Sequence, residues 1–332
     1  MSGIVESEVE DAALEWFEGM GWARVYGPEL APGGSAPERA SFGDVILLGR
    51  LERALVKLNP DVPREALDEA LRRVVRRQQP TLVAENEAFH WMVVDGLNVP
   101  VQHPDGTTRG ALVKLVDFDN VQANDFAVVN QFTVHEGQHH RRPDIVAFVN
   151  GIPLGVIELK NAGDENATVD GPFNQLQTYK AEIPSLFVSN EVLVASDGME
   201  ARVGSITGDR ERFVAWKTVE GRALAPAGRP HLQVAIQGLF HPERFLRFIR
   251  HFVVFEDEGR GLLKKLAGYH QYHAVEQAVA CTVDATSADG DRKVGVVWHT
   301  QGSGKSLTMV FYAGRLALAL DNPCLLYTSR CV

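Results

Sequence analysis

Two carboxylates and a lysine lie within one short segment, PDIVAFVNGIPLGVIELK, which spans residues 143–160. Apolar runs on both sides of Asn150-Gly151 predict two strands joined by a tight turn, because this dipeptide suits positive φ at both central positions. The turn would bring Asp144, at the start of the first strand, beside Glu158, near the end of the second. Since side chains alternate along a strand, Glu158 and Lys160 would share one face.

This grouping suits metal-assisted hydrolysis of a phosphodiester. Mg²⁺ prefers oxygen ligands and keeps several waters, so the carboxylates of Asp144 and Glu158 could hold it. A metal-bound water can attack a phosphodiester, and the ammonium of Lys160 could orient that water or offset charge on the phosphate. The alternative is a surface strand end at which Lys160 pairs with Glu158 and Asp144 caps a turn.

Two helices could add polar groups to the same place. A helix predicted over 173–182 carries Gln175 and Tyr179 at i, i+4 spacing, which puts both on one face. The N-terminal helix, predicted over 6–20, offers a further carboxylate as a metal ligand. We favour Glu10 for that position over Glu6.

Hydrophobic periodicity predicts the elements that would hold these residues. Short β-rich runs bounded by turn signals predict strands over 89–94, 111–117, 127–134, 144–149, 154–160 and 191–196. Apolar residues at helical spacing predict helices over 6–20, 42–58, 63–78, 173–182 and 241–280. This order predicts an α/β fold with a mixed sheet flanked by helices.

A second segment could bind phosphate. Residues 294–306, VGVVWHTQGSGKS, predict a buried strand, a Gly-rich loop and the start of a helix over 307–320. Glycines allow backbone N–H groups to face phosphate oxygens, and a helix N-terminus adds positive potential. Lys305 would reach the β- and γ-phosphates of ATP, and the Ser306 hydroxyl would reach Mg²⁺. The predicted nucleotide-binding residues of the loop are Thr300, Gln301, Gly302, Ser303, Gly304, Lys305 and Ser306. The alternative is a chance Gly- and Ser-rich turn.

The motif PD…ELK followed by Q-x-x-x-Y resembles the PD-(D/E)xK nuclease superfamily. Three segments are similar to the N-terminal domain of the R subunit of type I restriction–modification enzymes. They are VVNQFTV, then RRPDIVAFVNGIPLGVIELKN, then LVASDGMEARVGS. The resemblance runs through most of residues 5–215 and is specific at 127–204. It implies a PD-(D/E)xK endonuclease fold and a type I site-specific, ATP-dependent deoxyribonuclease activity.

The resemblance also implies roles for single residues. Asp144 and Glu158 would hold the metal, and Lys160 would be catalytic. Gln175 and Tyr179 would support cleavage. The family also has an acidic residue on its first helix, and the helix predicted at that place here carries Glu10 and Glu6.

The phosphate-binding segment resembles a motor. WHTQGSGKSLTM is similar to superfamily 2 helicases and to the translocase of type I R subunits, which implies the beginning of a RecA-like P-loop lobe. In YHQYHAV, similar to the helicase glutamine motif, Gln271 would read the adenine edge, whereas a lone glutamine is otherwise mostly solvent-facing. An acidic Walker B strand, an arginine finger and a second lobe are missing from the sequence. We therefore expect a fragment of the motor, with a tail at 324–332 that departs from the family.

Composition and charge limit the class of protein to which this sequence can belong. The 332 residues include 33 Lys+Arg and 43 Asp+Glu, so the net charge of −10 argues against a polycation that coats nucleic acid. No stretch approaches the roughly 18 apolar residues of a membrane helix, and the acidic N-terminus does not resemble a secretory signal. We expect a cytoplasmic protein with reduced thiols at Cys281, Cys324 and Cys331.

These observations predict an organisation and a set of partners. Residues 1–215 would be the endonuclease domain, 216–240 a boundary, and 241–332 the first part of the motor domain. The expected cofactors are Mg²⁺ and ATP. The resemblance implies that double-stranded DNA and the modification and specificity subunits are partners, with no membrane. Alternative functions are a nuclease–helicase of DNA repair and a catalytically inactive DNA-binding or assembly module.

Overall fold

The computed structural model describes residues 6–102, 106–160, 168–257, 259 and 261–319. The helices are α1 (Glu6–Glu18), α2 (Gly27–Leu30), α3 (Leu48–Leu58), α4 (Arg64–Val75), α5 (Leu82–Asp95), α6 (Asp170–Glu182), α7 (His231–Leu239), α8 (Pro242–His251), α9 (Tyr269–Thr286) and α10 (Lys305–Ala319). The strands are β1 (Ala23–Tyr26), β2 (Leu97–Gln102), β3 (Thr108–Val113), β4 (Phe126–Asn130), β5 (Val134–Glu136), β6 (His139–Arg141), β7 (Ile145–Val149), β8 (Ile152–Leu159), β9 (Val192–Ser196), β10 (Ala201–Gly204), β11 (Val253–Asp257) and β12 (Leu262–Leu266).

Six strands form one mixed sheet in the order β1-β4-β7-β8-β9-β10. β1 runs parallel to β4 and β8 runs parallel to β9, while the other neighbours are antiparallel. Three two-stranded ladders, β2–β3, β5–β6 and β11–β12, lie outside this sheet in the part of the chain described. The mixed sheet flanked by helices is therefore as predicted.

The turn at the centre of the sheet has the predicted conformation. Asn150 has a φ of 52° and Gly151 a φ of 78°, so both central residues of the β7–β8 turn are left-handed. A Cβ on Gly151 would lie 2.4 Å from the carbonyl oxygen of Leu47, so glycine is needed there for space as well as for conformation. This turn aligns the two central strands that lead to the carboxylates.

Alternate residues of the central strands face two apolar layers. Val146 and Phe148 of β7 pack on the side of α6. Ile145, Ala147 and Val149 pack on the other side. The aromatic core of that second layer is made of Phe17, Trp22, Phe126, Phe240 and Phe245. Burying one large apolar side chain contributes about 1.5–3 kcal/mol to the free energy of folding. Because both faces of the central strands are buried in this way, the sheet is a rigid platform for the residues at its ends.

The predicted strand over 89–94 is wrong, because these residues form the second half of α5. Its buried positions, which include Phe89, His90 and Val93, follow helical spacing. Thr81 caps the start, accepting a hydrogen bond from the Ala84 amide at 3.2 Å. The run Phe89–Val94 is rich in residues with high strand propensity, but tertiary burial on several sides of the helix outweighs that propensity.

The predicted helical stretch over 241–280 is wrong in its middle, where the β11–β12 hairpin separates α8 from α9. Gly259 and Gly261 have φ values of 76° and 123° and turn the chain between the two strands. The stretch 216–240, predicted as a boundary, carries α7, whose apolar residues are buried in the core. The division into domains stays a prediction.

The predicted buried strand at 294–298 is also wrong. The structure assigns no strand there, and Val296 and Trp298 are each 90% exposed. A buried strand needs neighbours for its backbone N–H and C=O groups, and within the described residues no strand lies beside this segment. The helix after the loop is present as α10, which the structure describes as far as Ala319.

None of the described helices combines the length and the apolar composition that would let it cross a bilayer. Cys281 is a free thiol. The other two cysteines and the tail 324–332 lie outside the described residues.

Candidate active site at the ends of two central strands

Asp144 lies directly before β7, and its side chain reaches the end of β8. Ile145 pairs with Ile157 in the antiparallel register, so Asp144 and Glu158 are the next residues along the two strands. Oδ2 of Asp144 accepts a 2.7 Å hydrogen bond from the backbone amide of Leu159. The predicted hairpin is therefore confirmed, with one register shift between Ala147 and Phe148 that aligns Asp144 with Glu158, and the two carboxylates lie at one end of the sheet.

Glu158 lies on the side of the sheet that α6 covers. Its Oε1 accepts a 3.0 Å hydrogen bond from the phenol of Tyr179, and both side chains are buried. Burial raises the pKa of Tyr179 well above its ordinary value, and the charge of Glu158 raises it further. The charge of Asp144 also raises the pKa of Tyr179, whereas the neighbouring amide of Gln175 lowers it. Asp144, Glu158 and Gln175 therefore all lie close to the phenol of Tyr179.

Lys160 follows Glu158 at the predicted spacing and also faces α6. Its backbone amide donates to the carbonyl of Ser196 at 2.9 Å, which extends the pairing of β8 and β9 by one residue. A Cβ on Gly171 would lie 2.9 Å from Cδ and 3.5 Å from Nζ of Lys160. The lysine side chain therefore lies along the first turn of α6, where the absence of a side chain at Gly171 leaves room for it.

Glu10 reaches the same end of the sheet from α1. Its Oε1 accepts a hydrogen bond from the side-chain amide of Asn130, and its Oε2 accepts one from that of Gln131, both at 2.6 Å. The backbone amide of Gln131 in turn donates to the carbonyl of Asp144 at 2.9 Å. Glu10 is thus connected to Asp144 through β4. Glu6, the less favoured choice, begins α1, and its side chain lies outside the description.

The acidic groups form a pair and not a larger cluster. Among the described residues, no group of three or more histidine, cysteine, aspartate or glutamate side chains could hold one metal ion. Asp144 and Glu158 offer oxygen ligands on a rigid, buried platform, with exposed fractions of 8% and 7%. This donor set fits Mg²⁺, which is commonly bound through one or two carboxylates with water and substrate phosphate completing its shell.

Sequence reasoning did not identify three residues that support the site. Asn130 and Gln131 contact Glu10, and Gly171 makes room for Lys160. The first two lie in the VVNQFTV segment, where two amide side chains at the end of a buried strand were a usable signal. Gly171 lies in the first turn of α6 and could have been found only from the position of Lys160.

The second predicted site, the phosphate-binding loop, is exposed and precedes α10. Gly302 and Gly304 have φ values of 80° and 78°. Nζ of Lys305 lies 3.4 Å from the carbonyl oxygens of His299 and Thr300, so the ammonium lies over its own loop. The hydroxyl of Ser303 donates to the same Thr300 carbonyl at 2.8 Å. Gln301 and Ser306 are exposed beside these residues.

The start of α9 holds this loop from the other side. Gln271 is buried, and its side-chain amide donates to the carbonyl of Gly304 at 3.0 Å. Its Oε1 accepts from the Gly268 amide at 2.8 Å. Nε2 of His270 lies 3.1 Å from the carbonyl oxygen of Ser303. Gln271 therefore contacts the loop directly, and its contact with adenine stays a prediction.

Comparison with known proteins gives two family matches. The family model described as type I restriction enzyme R protein N terminus matches residues 3–212, and the SWI2/SNF2 ATPase model matches residues 270–329. The type I restriction enzyme HindI endonuclease subunit of Haemophilus influenzae is 40% identical over 324 residues, which is 96% of this chain and 31% of that protein. A protein of Methanocaldococcus jannaschii is 33% identical over 327 residues, 92% of this chain and 30% of its own length.

The named Haemophilus influenzae relative is an endonuclease subunit of a restriction enzyme. The first family model covers more than half of the sequence, and the chain belongs to the family of the type I restriction enzyme R protein N terminus. The resemblance seen in the sequence is therefore confirmed. The chain spans about a third of the length of the Haemophilus influenzae and Methanocaldococcus jannaschii relatives.

Proposed function

We propose that this chain carries the Mg²⁺-dependent DNA endonuclease site of a type I restriction enzyme R subunit, in the PD-(D/E)xK arrangement. The observation that carries the proposal is the meeting of Asp144 and Glu158 at adjacent strand ends, with Tyr179 bonded to one carboxylate. Lys160 lies on the same side of the sheet, one residue beyond β8.

Asp144 and Glu158 would hold the metal. Bound Mg²⁺ would lower the pKa of a water molecule and offset negative charge on the scissile phosphate. The hydrogen bond from Leu159 to Asp144 and that from Tyr179 to Glu158 fix the two carboxylates before any ion binds. Preorganised ligands of this kind reduce the reorganisation that binding and reaction would otherwise require.

Lys160 would act directly on the reacting groups. Its ammonium is held along the first turn of α6, so it can orient the attacking water or donate to a phosphate oxygen. Gln175 lies near enough to the phenol of Tyr179 to lower its pKa, and it would support the geometry of Glu158 through that phenol. These roles make Lys160 a catalytic residue and Gln175 and Tyr179 positioning residues.

We further propose that the loop at 300–306 binds ATP and that cleavage in the whole R subunit is coupled to ATP-dependent DNA translocation. The match to the SWI2/SNF2 ATPase model over residues 270–329 supports a nucleotide-binding role. The contacts of His270 and Gln271 with the carbonyls of Ser303 and Gly304 support it as well, because they hold the loop at the start of α10, where backbone N–H groups could face a phosphate. Double-stranded DNA is the proposed substrate, and the modification and specificity subunits are the proposed partners.

The test follows cleavage and ATP hydrolysis together in the R subunit assembled with its modification and specificity subunits. Asp144→Asn and Glu158→Gln should abolish Mg²⁺-dependent DNA cleavage while ATP hydrolysis continues, because the two sites lie on separate elements. Lys160→Ala should slow cleavage by about 10²–10³-fold, as does the loss of one preorganised donor elsewhere.

Glu220→Gln is a matched control, since Glu220 is an exposed carboxylate outside the contacts of the site. It should change neither activity. Persistence of cleavage in Asp144→Asn would place the cutting site elsewhere. A parallel loss of ATP hydrolysis and cleavage in the same variant would instead indicate that the substitution disrupts the fold.

A further inference from the structure

We infer that Glu10 is a positioning residue of the cleavage site and not one of its metal ligands. The inference rests on the proposed function, because it concerns how that site is built. It departs from the expectation that a glutamate of the first helix coordinates the ion. Three observations carry it: the hydrogen bonds on both oxygens of Glu10, the link from its partners to Asp144, and the composition of the acidic group.

Both carboxylate oxygens of Glu10 are held by neutral amides. Asn130 Nδ2 donates to Oε1 and Gln131 Nε2 donates to Oε2, each at 2.6 Å. Such short, charge-assisted bonds are among the strong hydrogen bonds of proteins, so the carboxylate is fixed between the two amides. The pair Asn130 and Gln131 acts as an amide clamp, and Glu10 is the group that it holds.

The amide clamp is connected directly to the backbone of Asp144. Asn130 ends β4 and pairs with Ile145, the residue after Asp144. Gln131 adopts a φ of 55°, a left-handed conformation that side chains rarely take, and its amide donates to the Asp144 carbonyl at 2.9 Å. Strain of this kind persists where the surroundings hold a residue in place. Glu10 helps to hold it, since it binds the side chain of the strained residue.

The acidic group itself argues for two ligands. The residues described contain no set of three carboxylates that could share an ion, although Glu10, Asp144 and Glu158 are all among them. Glu10 therefore acts on the site through β4, where it fixes the point from which the Asp144 side chain projects. Groups beyond the direct ligands commonly change metal affinity by 10–100-fold, so this role has a measurable effect.

The experiment measures binding of Mn²⁺ alone, without DNA or nucleotide, from the loss of the free-ion EPR signal in the presence of the purified chain. The variants are Asp144→Asn, Glu10→Ala, Glu10→Gln and Gln131→Gly. A glutamine at position 10 can still satisfy both amides, since its carbonyl accepts from one and its NH₂ donates to the other after that amide rotates. A glycine at 131 relaxes the left-handed backbone but removes the donor to Glu10.

We expect Asp144→Asn to weaken Mn²⁺ binding at least tenfold and Glu10→Gln to keep the dissociation constant within about twofold of the unsubstituted chain. Glu10→Ala and Gln131→Gly should weaken binding by about tenfold, because both break the clamp. Thermal melting of each variant identifies any that fails to fold. If Glu10→Ala does not fold, Glu10→Gln and Gln131→Gly carry the test.

The outcomes separate this inference from the proposed function. If Glu10→Gln weakens Mn²⁺ binding as strongly as Asp144→Asn, Glu10 is a ligand and the inference is wrong while the metal site stands. If Gln131→Gly binds Mn²⁺ as well as the unsubstituted chain, the clamp has no positioning role. If Asp144→Asn itself binds Mn²⁺ normally, the proposed metal site fails.

Discussion

The phenol of Tyr179 donates a 3.0 Å hydrogen bond to Oε1 of Glu158, and this buried bond joins α6 to the end of β8. Burial raises the pKa of Tyr179, and the neighbouring carboxylate adds to the rise, so the phenol stays protonated and remains a donor across the physiological range. The helix that follows the predicted catalytic lysine is therefore part of the site, since it fixes the orientation of a carboxylate.

Tyr179→Phe removes this donor while keeping the ring in the core. We expect cleavage in the assembled enzyme to fall by an amount that corresponds to about 1.5–3 kcal/mol, the usual value of a hydrogen bond to a charged group. ATP hydrolysis should be unchanged. The control is Tyr26→Phe, which removes an exposed phenol. Equal cleavage rates for Tyr179→Phe and the unsubstituted enzyme would exclude a positioning role for this bond.

The central hairpin could be predicted because its determinants are local. The Asn150-Gly151 turn and the alternation of apolar residues along β7 and β8 bring Asp144 and Glu158 to one end of the hairpin. A register shift between Ala147 and Phe148 then sets the two residues opposite each other. The i, i+4 spacing of Gln175 and Tyr179 likewise predicts that both reach one site. Local chemistry thus determines most of the candidate site.

Features that depend on distant partners could not be predicted. The run at 89–94 has strand-like composition but is helical, because it is buried among elements far away in sequence. The contact of Glu10 with Asn130 joins residues 120 positions apart, and no periodicity indicates it. The segment 294–298 shows the converse, since its composition favours a strand but no neighbouring strand in the described residues pairs with it.

The phosphate-binding loop should bind ATP only weakly in this chain and should not support hydrolysis. The cavity beside Lys305 is lined mainly by apolar residues of α9, of α10 and of the segment 294–297, and no carboxylate is among the described residues that line it. The segment before the loop is exposed, so one side of the loop is held loosely. We expect a dissociation constant of about 10⁻⁴ M or weaker, which corresponds to roughly −5 kcal/mol.

A titration with a fluorescent ATP analogue measures this affinity, and Lys305→Ala should remove the residual binding. Lys293→Ala is the matched control, because Lys293 is an exposed lysine that does not contact the loop carbonyls. DNA-stimulated ATP turnover that disappears in Lys305→Ala would contradict the prediction, since it would require a complete catalytic site in this chain.

Lys180, the residue after Tyr179, should make stability depend on pH. Its ammonium donates to the Ile206 carbonyl at 2.6 Å, and burial lowers the pKa of Lys180 from 10.5 to about 8. Between about pH 8 and pH 10.5 the unfolded chain therefore binds more protons at this residue than the folded chain does. Stability from Lys180 should rise with pH in that window.

Urea denaturation at pH 7, 8 and 9.5 measures this effect by comparison with Lys180→Met. The slope attributable to Lys180 is at most about 1.4 kcal/mol per pH unit, and solvent around the half-buried amine reduces it. Lys217→Met, at an exposed lysine, should leave the slope unchanged. Parallel pH profiles for the unsubstituted chain and Lys180→Met would show that the folded-state pKa is not lowered.

A fully buried ion pair attaches the β11–β12 hairpin to the central sheet. Nζ of Lys264 lies 2.6 Å from Oε2 of Glu191 and donates to Oδ1 of Asn86 at 3.0 Å. Oε1 of Glu191 lies 3.0 Å from Nδ1 of His90. Burial alone would raise the pKa of Glu191, but the charges of Lys264 and His90 outweigh it and lower that pKa. Burial also lowers the pKa of Lys264, and the charge of Glu191 opposes that fall, so the close contact of the two groups is what favours the ionised pair in the interior.

Lys264→Met should destabilise the chain by about 3–5 kcal/mol, because it leaves the Glu191 carboxylate buried without its partner. Glu191→Leu should lower the free energy of unfolding by a similar amount, since it leaves the ammonium of Lys264 buried without its partner. The double variant should lose much less than the sum of the two, because apolar side chains of similar volume replace a buried pair at little cost. Free energies of unfolding from urea denaturation give the coupling by a double-mutant cycle. The exposed pair Arg64 and Asp68 on α4 provides a reference cycle, in which we expect a smaller coupling. Additive effects at Lys264 and Glu191 would mean that the two side chains do not depend on each other, and the β11–β12 hairpin would then be held by its apolar contacts alone.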